Sequence, residues 1–218
     1  MYLSKICFND PFVLIRRGGS NSTSYLVKQF LCDLFDNNRL ASRFFFRIKD
    51  ETFQDGRGMT IGVLSSNPMP SRIFEMRDVT CQSASYPNQW EKGQRVWFSL
   101  LANTVKNLHC QRSDGVRVAP ARRLGISNPS EQMSWLAGRD EVREAFRFNR
   151  DTDKIEIRDS GVLNIQKGNH YSSHCYADFW GETTVADPNK LSEIVENGIG
   201  SAKTFGFGLF LVGSIEAK

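Results

Sequence analysis

The chain has 218 residues, of which 40% are hydrophobic and 24% charged, and its 28 basic and 24 acidic residues leave a formal net charge of +4. A chain of this composition can bury a hydrophobic core, which excludes a disordered protein and a fibrous repeat. No apolar run reaches the ~18 residues of a membrane span, and residues 1–8 lack the apolar core and cleavage site of a signal peptide. We therefore expect a cytoplasmic protein with no membrane partner.

The first part of the chain predicts the order β-α-β-β-β, with a short or missing helix before the last strand. Apolar and aromatic runs indicate strands at residues 2–8, 43–49 and 59–64. A helix is expected at residues 25–35, because it follows a polar, glycine-containing segment with capping residues. A further extended stretch is expected around residues 73–81.

The pattern restarts after residues 86–89, which we interpret as a linker. The expected elements are strands at 95–102, 155–157, 161–165, 175–185 and 209–212, and helices at 129–137, 140–146 and 188–196. Asp187 is the expected N-cap of the last helix, with Pro188 at its first position. Two β-α-β-β-α-β units in tandem account for this order, so we predict an α+β fold of two ferredoxin-like (RRM-like) domains, at residues 1–86 and 87–218.

Positive charge is concentrated between residues 106 and 123. This segment has five basic residues and one acidic residue, and so holds the whole net charge of +4. The basic residues are Lys106, Arg112, Arg117, Arg122 and Arg123. Such a cluster is typical of a surface that binds a polyanion, although a solvated loop can have the same composition.

The sequence predicts no metal and no cofactor. The five cysteines, at positions 7, 32, 81, 110 and 175, form no Cys-x-x-Cys pair for zinc or redox work. We find no cluster of carboxylates or of His and Cys that would hold a metal ion. The cysteines are expected to be reduced and mostly buried.

Residues 198–209 form a glycine-rich loop with the sequence Gly-Ile-Gly-Ser-Ala-Lys-Thr-Phe-Gly-Phe-Gly-Leu. It does not match a Walker A loop, and it leads from a helix into a strand, the reverse of a dinucleotide-binding fingerprint. Glycines beside a lysine let backbone N–H groups approach a phosphate closely. The alternative is a flexible helix-to-strand turn with Gly198 as the helix C-cap.

This loop resembles the C-terminal signature of the repeat-associated CRISPR endoribonucleases, and its form is similar to that of the CasE-type subfamily. Residues 1–5, 25–35 and 43–47 resemble the first strand, first helix and second strand of that subfamily, and residues 100–106 resemble its L-x-A-N-P-x-K stretch. The similarity spans both halves of the chain in the same order.

The resemblance implies two ferredoxin-like domains and a CRISPR repeat RNA hairpin as substrate, with the mature crRNA as product. It further implies metal-independent cleavage at the 3′ side of the hairpin, and the other subunits of a CRISPR effector complex as partners. The implied RNA-binding residues are Lys106, Arg112, Arg117, Arg122, Arg123, Gly200, Lys203, Gly206 and Gly208.

In the family, the first helix carries a tyrosine and a histidine three residues apart at the scissile phosphate. The tyrosine matches Tyr25, whereas the histidine position holds Lys28. The resemblance therefore implies a divergent member, of type I-E or of a variant such as type IV. A lysine ammonium is a poor base at neutral pH, but it can stabilise a phosphorane or protonate a leaving oxygen. We expect Lys28 to do so and Tyr25 to orient the 2′-hydroxyl or the phosphate. Three residues could instead supply the missing imidazole: His109, His170 and His174.

Three functions remain open from the sequence. The first is an endoribonuclease that matures CRISPR RNA. The second, favoured by Lys28 in place of histidine, is a catalytically inactive subunit that binds the repeat hairpin. The third is an RNA-recognition protein outside CRISPR systems, for which we find no aromatic RNP-like strand.

Overall fold

The computed structural model describes residues 1–10, 14, 21–36, 43–50, 58–108, 122–149 and 152–215. Within this part of the chain no helix is long and apolar enough to span a membrane.

The first half forms an antiparallel sheet covered by one helix. Within the described residues the sheet has four strands in the order β2-β3-β1-β4, as in a ferredoxin-like unit. The elements are β1 (Tyr2–Phe8), α1 (Thr23–Leu34), β2 (Phe44–Asp50), β3 (Met59–Ser65) and β4 (Val79–Ser85).

A 3₁₀ turn, Ser71–Glu75, replaces the second helix of the first unit. The prediction that Ile73 begins an extended stretch is therefore wrong. Pro70 stands at the N-cap of the turn, and Ile73 is fully buried while Phe74 is 57% exposed. The burial of one side chain against the sheet thus sets the conformation of this segment.

The second half also forms an antiparallel sheet, and it has a helix where the first unit has only a 3₁₀ turn. The described strands of its sheet follow the order β11-β5-β10-β8, and β9 also pairs with β10. A separate two-stranded ribbon is formed by β6 and β7. The strands are β5 (Arg95–Asn103), β6 (Val105–Leu108), β7 (Arg122–Gly125), β8 (Phe146–Arg147), β9 (Lys154–Lys167), β10 (His170–Val185) and β11 (Phe210–Ser214). The helices are α2 (Pro129–Ala137), α3 (Asp140–Ala145) and α4 (Pro188–Asn197), with a 3₁₀ turn at Lys203–Phe205.

The hairpin of β9 and β10 is longer than predicted. The sequence indicated separate strands at 155–157 and 161–165, and a third starting at residue 175, whereas β9 is continuous and β10 begins at His170. The polar run Arg158-Asp159-Ser160 interrupts the apolar pattern of β9, yet Asp159 and Ser160 still pair with β10 and only the register shifts at Arg158. The hairpin is therefore held by backbone pairing along a length that hydrophobicity alone does not reveal.

The two units are joined through the sheet face of the first unit that α1 leaves open. Phe46 is buried beneath α1, whereas its neighbours in the sheet, Phe45 and Leu64, belong to the hydrophobic core of the second unit. The hydroxyl of Tyr86 donates to the carbonyl of Val212 at 2.5 Å and accepts from the Val212 N–H at 2.6 Å. The linker is thus fixed to β11, and the division at 86/87 stays a prediction.

Candidate functional site

Helix α1 places Tyr25 and Lys28 side by side, outside the core. The helix buries Leu26, Val27 and Phe30, while Tyr25 and Lys28 are only partly buried. Residues three apart share one helix face, and the Lys28 Nζ lies 5.1 Å from the centroid of the Tyr25 ring. The pair therefore presents a phenol and an ammonium group together, in a cation–π contact.

A second lysine, Lys167 at the end of β9, approaches the same ring. Its Nζ lies 5.7 Å from the centroid of Tyr25. Two ammonium groups from opposite halves of the chain thus border one tyrosine, an arrangement suited to a phosphate group. Sequence analysis missed Lys167 because the predicted strand stopped at residue 165. The signal was present in Gly168-Asn169, a two-residue hairpin turn.

Two hydrogen bonds, one between backbone groups and one to a side chain, fasten the hairpin end to the start of α1. The Ser22 N–H donates to the carbonyl of Gln166 at 3.1 Å, and the Gly168 N–H donates to Oδ1 of Asn21 at 2.7 Å. Gly168 has a φ of +56° at the first position of the turn, where a type II′ hairpin needs a glycine. These bonds fix the backbone of Lys167 relative to Tyr25.

An open cleft of about 370 Å³ lies between the two halves beside this site. Ser24 of α1 and Arg47 of β2 line one side, and Asp178 of β10 and Phe205 line the other. Arg47 forms an ion pair with Asp178 and donates to Oγ of Ser99 at 3.0 Å. The side chains of Arg47 and Asp178 are only 20% and 14% exposed. A mostly buried charge pair therefore joins the halves across the cleft.

The glycine loop packs against α1 and adopts a conformation that needs glycine. Gly198, Gly200, Gly206 and Gly208 all have φ between +63° and +94°. A Cβ on Gly208 would come within 2.7 Å of the carbonyl oxygen of Ile199. The Gly208 N–H donates to the carbonyl of Leu101 at 2.7 Å. The glycines therefore allow the loop to pack tightly on β5, and contact of Gly200, Gly206 and Gly208 with RNA stays a prediction.

Lys203 ties the glycine loop to the end of the preceding helix, α4. Its Nζ donates to the carbonyls of Asn197 and Gly198 at 2.7 and 3.1 Å. These are carbonyls at the C-terminal end of α4, where the helix dipole favours a cation. Burial lowers the pKa of Lys203, an effect partly offset by the charge of Glu141. A phosphate would have to compete with two carbonyls for this ammonium group, and its contact with RNA remains a prediction.

The described part of the basic segment lies on the β6–β7 ribbon. Lys106 pairs with Leu124, and Asn107 pairs with Arg123, so Lys106 and Arg123 point to opposite faces of the ribbon. Lys106 forms an ion pair with Glu131 of α2 at 2.8 Å, whereas Arg123 is exposed. Arg123 is thus the better placed of the two to meet an external polyanion. The predicted residues Arg112 and Arg117, and the side chain of Arg122, lie outside the described residues.

The sequence profile of a protein family described as "CRISPR associated protein" matches residues 1–213. The chain belongs to this family. This CRISPR-associated chain is of the CasE type. It is 28% identical, over 212 residues, to the CRISPR system Cascade subunit CasE of Escherichia coli, and the match covers 96% of this chain and 97% of the relative.

Solved structures share the fold of this CRISPR-associated chain. The CRISPR endoribonuclease Cse3 bound to a 19-nucleotide RNA has a TM-score of 0.76 at 20% identity, with 98% of this chain and 100% of that one covered. Cas6e from Escherichia coli has a TM-score of 0.66 at 22% identity, with 99% and 100% covered. The prediction of two tandem ferredoxin-like domains is confirmed.

The described histidines of the CRISPR-associated chain, His170 and His174, differ in their surroundings. His109 lies outside the described residues. His174 packs its ring against Phe205 and Phe207, at centroid distances of 5.6 and 5.8 Å, and burial lowers its pKa. His170 is exposed at the end of the hairpin that carries Lys167. Among the described residues, no group of three or more His, Cys, Asp or Glu could hold a metal ion.

Proposed function

We propose that the chain is an endoribonuclease that binds the hairpin of a CRISPR repeat RNA and cuts at its 3′ side. The observation that carries this proposal is the approach of Lys28 and Lys167 to Tyr25, from opposite halves of the chain. A similar fold occurs in Thermus thermophilus Cse3 bound to an RNA that represents a pre-cleavage complex, with a TM-score of 0.74 at 18% identity.

The proposed reaction uses the RNA's own 2′-hydroxyl as nucleophile. Its oxygen attacks the adjacent phosphorus, the bond from phosphorus to the 5′-oxygen breaks, and the products end in a 2′,3′-cyclic phosphate and a 5′-hydroxyl. Negative charge accumulates on the phosphorane, so the ammonium groups of Lys28 and Lys167 stabilise the transition state more than the substrate. Lys28 gives a proton to the departing 5′-oxygen, and Tyr25 orients the 2′-hydroxyl or the phosphate.

The packing of the hairpin against α1 would also orient the reacting groups of the RNA. In-line attack needs the nucleophile, the phosphorus and the leaving oxygen held in one geometry, which contributes much of the rate in such reactions. The hydrogen bonds from Ser22 to Gln166 and from Gly168 to Asn21 hold the two sides of the site together. The RNA would therefore meet a largely preformed site.

Affinity for the hairpin would come from the basic segment on the β6–β7 ribbon. The major groove of A-form RNA is too narrow for ordinary base reading, but its phosphates accept guanidinium groups. Arg123 is exposed on the ribbon face opposite to Lys106 and Glu131, where it can reach such phosphates. Shape and charge would then set most of the binding energy.

We further propose that the product RNA stays bound and that the chain is a subunit of an effector complex. The Escherichia coli relative is named as a Cascade subunit. A CRISPR RNA-guided surveillance complex also contains a chain of similar fold, with a TM-score of 0.70 at 18% identity. Under the same proposal no metal ion takes part in the cleavage.

A second candidate is a catalytically inactive subunit that only holds the repeat hairpin. The observation in its favour is Lys28 at the position of the family histidine, because an ammonium group cannot accept the proton of the 2′-hydroxyl. Binding would then survive while cutting is lost.

A denaturing gel of the purified protein with its repeat RNA tests the proposal. We expect cleavage in EDTA, and no cleavage of an RNA with a single 2′-deoxy substitution at the nucleotide 5′ of the cut. Cleavage that requires Mg²⁺, or that persists with the 2′-deoxy RNA, would contradict the mechanism. Tight binding with an intact RNA would instead select the inactive subunit.

A further inference from the structure

One face of the β9–β10 hairpin points towards α1 and the glycine loop. Leu163 and Lys167 of β9 stand opposite His174 and His170 of β10, and Ile165 lies between them on the same face. Ile165 is 2% exposed and Leu163 lines the cleft. His174 contacts the ring of Phe205 in the glycine loop. Alternate residues of a strand share a face, so this row is the inner face of the hairpin.

His170 ends this row opposite Lys167, the hairpin residue that approaches Tyr25. It is the cross-strand partner of Lys167, and such partners have Cβ atoms about 4.5–5.5 Å apart on one face of the sheet. Lys167 extends from that face until its Nζ lies 5.7 Å from the centroid of the Tyr25 ring. His170 therefore shares the face and the level of the hairpin from which Lys167 reaches Tyr25. It is exposed, so an RNA strand can reach it.

The reaction proposed above lacks a group that can accept the proton of the 2′-hydroxyl. Lys28 and Lys167 are cations, and α1 has no histidine. We propose that the imidazole of His170, on the hairpin that faces α1, is the general base. This inference rests on the proposed function.

The step balances with the groups present. A ring nitrogen of neutral His170 takes the proton of the 2′-hydroxyl as its oxygen bonds to phosphorus. The bond to the 5′-oxygen then breaks, and that oxygen takes a proton from the Lys28 ammonium. Proton exchange with water returns His170 and Lys28 to their starting states.

The rate of such a reaction depends on pH through every group that faces the histidine. Within the described residues these are Lys167 across the hairpin, Tyr25 and Lys28 on α1, and His174 further along β10. His174 is turned against Phe205 and Phe207. A rise in rate with pH that disappears when His170 is replaced therefore reports His170 as the base.

Single-turnover cleavage of the repeat RNA by saturating full-length protein tests this role. We expect the wild-type rate to rise with pH between about 5 and 8. His170→Gln should slow cleavage about 10²-fold, abolish that rise and leave RNA affinity unchanged. Added imidazole should restore part of the rate to His170→Gly. Tyr171→Ala is the matched control, because Tyr171 is the next residue, on the outer face, and 73% exposed.

The outcomes separate this inference from the function on which it rests. If wild type cleaves and His170→Gln keeps the same rate and pH profile, the role of His170 is overturned while the endoribonuclease stands. A slower rate explained entirely by weaker RNA binding, with the pH rise retained, also overturns it. A wild-type protein that binds but never cuts the RNA overturns both proposals.

Discussion

Replacing Lys28 with alanine tests the ammonium group that is proposed to stabilise the phosphorane. Lys28 is partly buried next to Tyr25. A unit charge that develops on the phosphorane about 4 Å from its ammonium group, at an effective dielectric constant of about 30, gains about 2.8 kcal/mol. That energy corresponds to about 10²-fold in rate. We therefore expect Lys28→Ala to slow the chemical step by about 10²-fold with little change in RNA affinity.

The assay is single-turnover cleavage with excess protein, so that product release does not limit the measured rate. Lys92→Ala is the matched control, because Lys92 is an exposed lysine elsewhere on the surface and its loss changes the net charge equally. Lys28→His should keep most of the activity and add a fall in rate above neutral pH, since a histidine that donates a proton must first carry one. Equal rates for wild type and Lys28→Ala would refute the electrostatic role of Lys28.

Three further predictions concern the rest of the molecule. Asp178→Ala should lower the free energy of unfolding, measured by urea denaturation, by about 3 kcal/mol, because it leaves the Arg47 guanidinium mostly buried without its carboxylate. Because burial lowers the pKa of His174, the unfolded chain binds more protons below about pH 6.5. The melting temperature should therefore fall as the pH drops from 7 to about 5, and His174→Gln should reduce that fall. Arg123→Ala should weaken hairpin binding and reduce the slope of log affinity against log salt by about 1 between about 50 and 200 mM salt, measured by filter binding.

The sequence predicted elements best where a strand or helix buries a dense set of apolar side chains. The run that forms α1 was recognisable because one of its faces is buried, and the run that forms β2 because Phe45 and Phe46 are buried on opposite faces of the sheet. The predicted strands around β9 were too short, because residues 158–160 are polar and exposed although Asp159 and Ser160 pair with β10. An exposed paired segment has no apolar side chains to reveal it.

The candidate site was predicted only in part for a similar reason. Tyr25 and Lys28 lie on one helix, so their spacing alone places them together. Lys167 meets them only through the packing of the hairpin against α1, which no local pattern records. The contact of Lys203 with RNA stays a prediction, and the structure adds that its ammonium group donates hydrogen bonds to carbonyls at the end of α4. The sequence indicates a cation in the loop but not the carbonyls that hold it.

The packing of the hairpin against α1 also sets the point in protein synthesis at which all residues of the candidate site are present. A ribosome makes Tyr25 and Lys28 early, whereas Lys167 follows only after most of the chain has been translated. The first unit can form its own buried cluster beneath α1 before then. Tyr25 and Lys28 therefore belong to a unit that has its own core, whereas the contact of Lys167 with Tyr25 needs the hairpin of the second half.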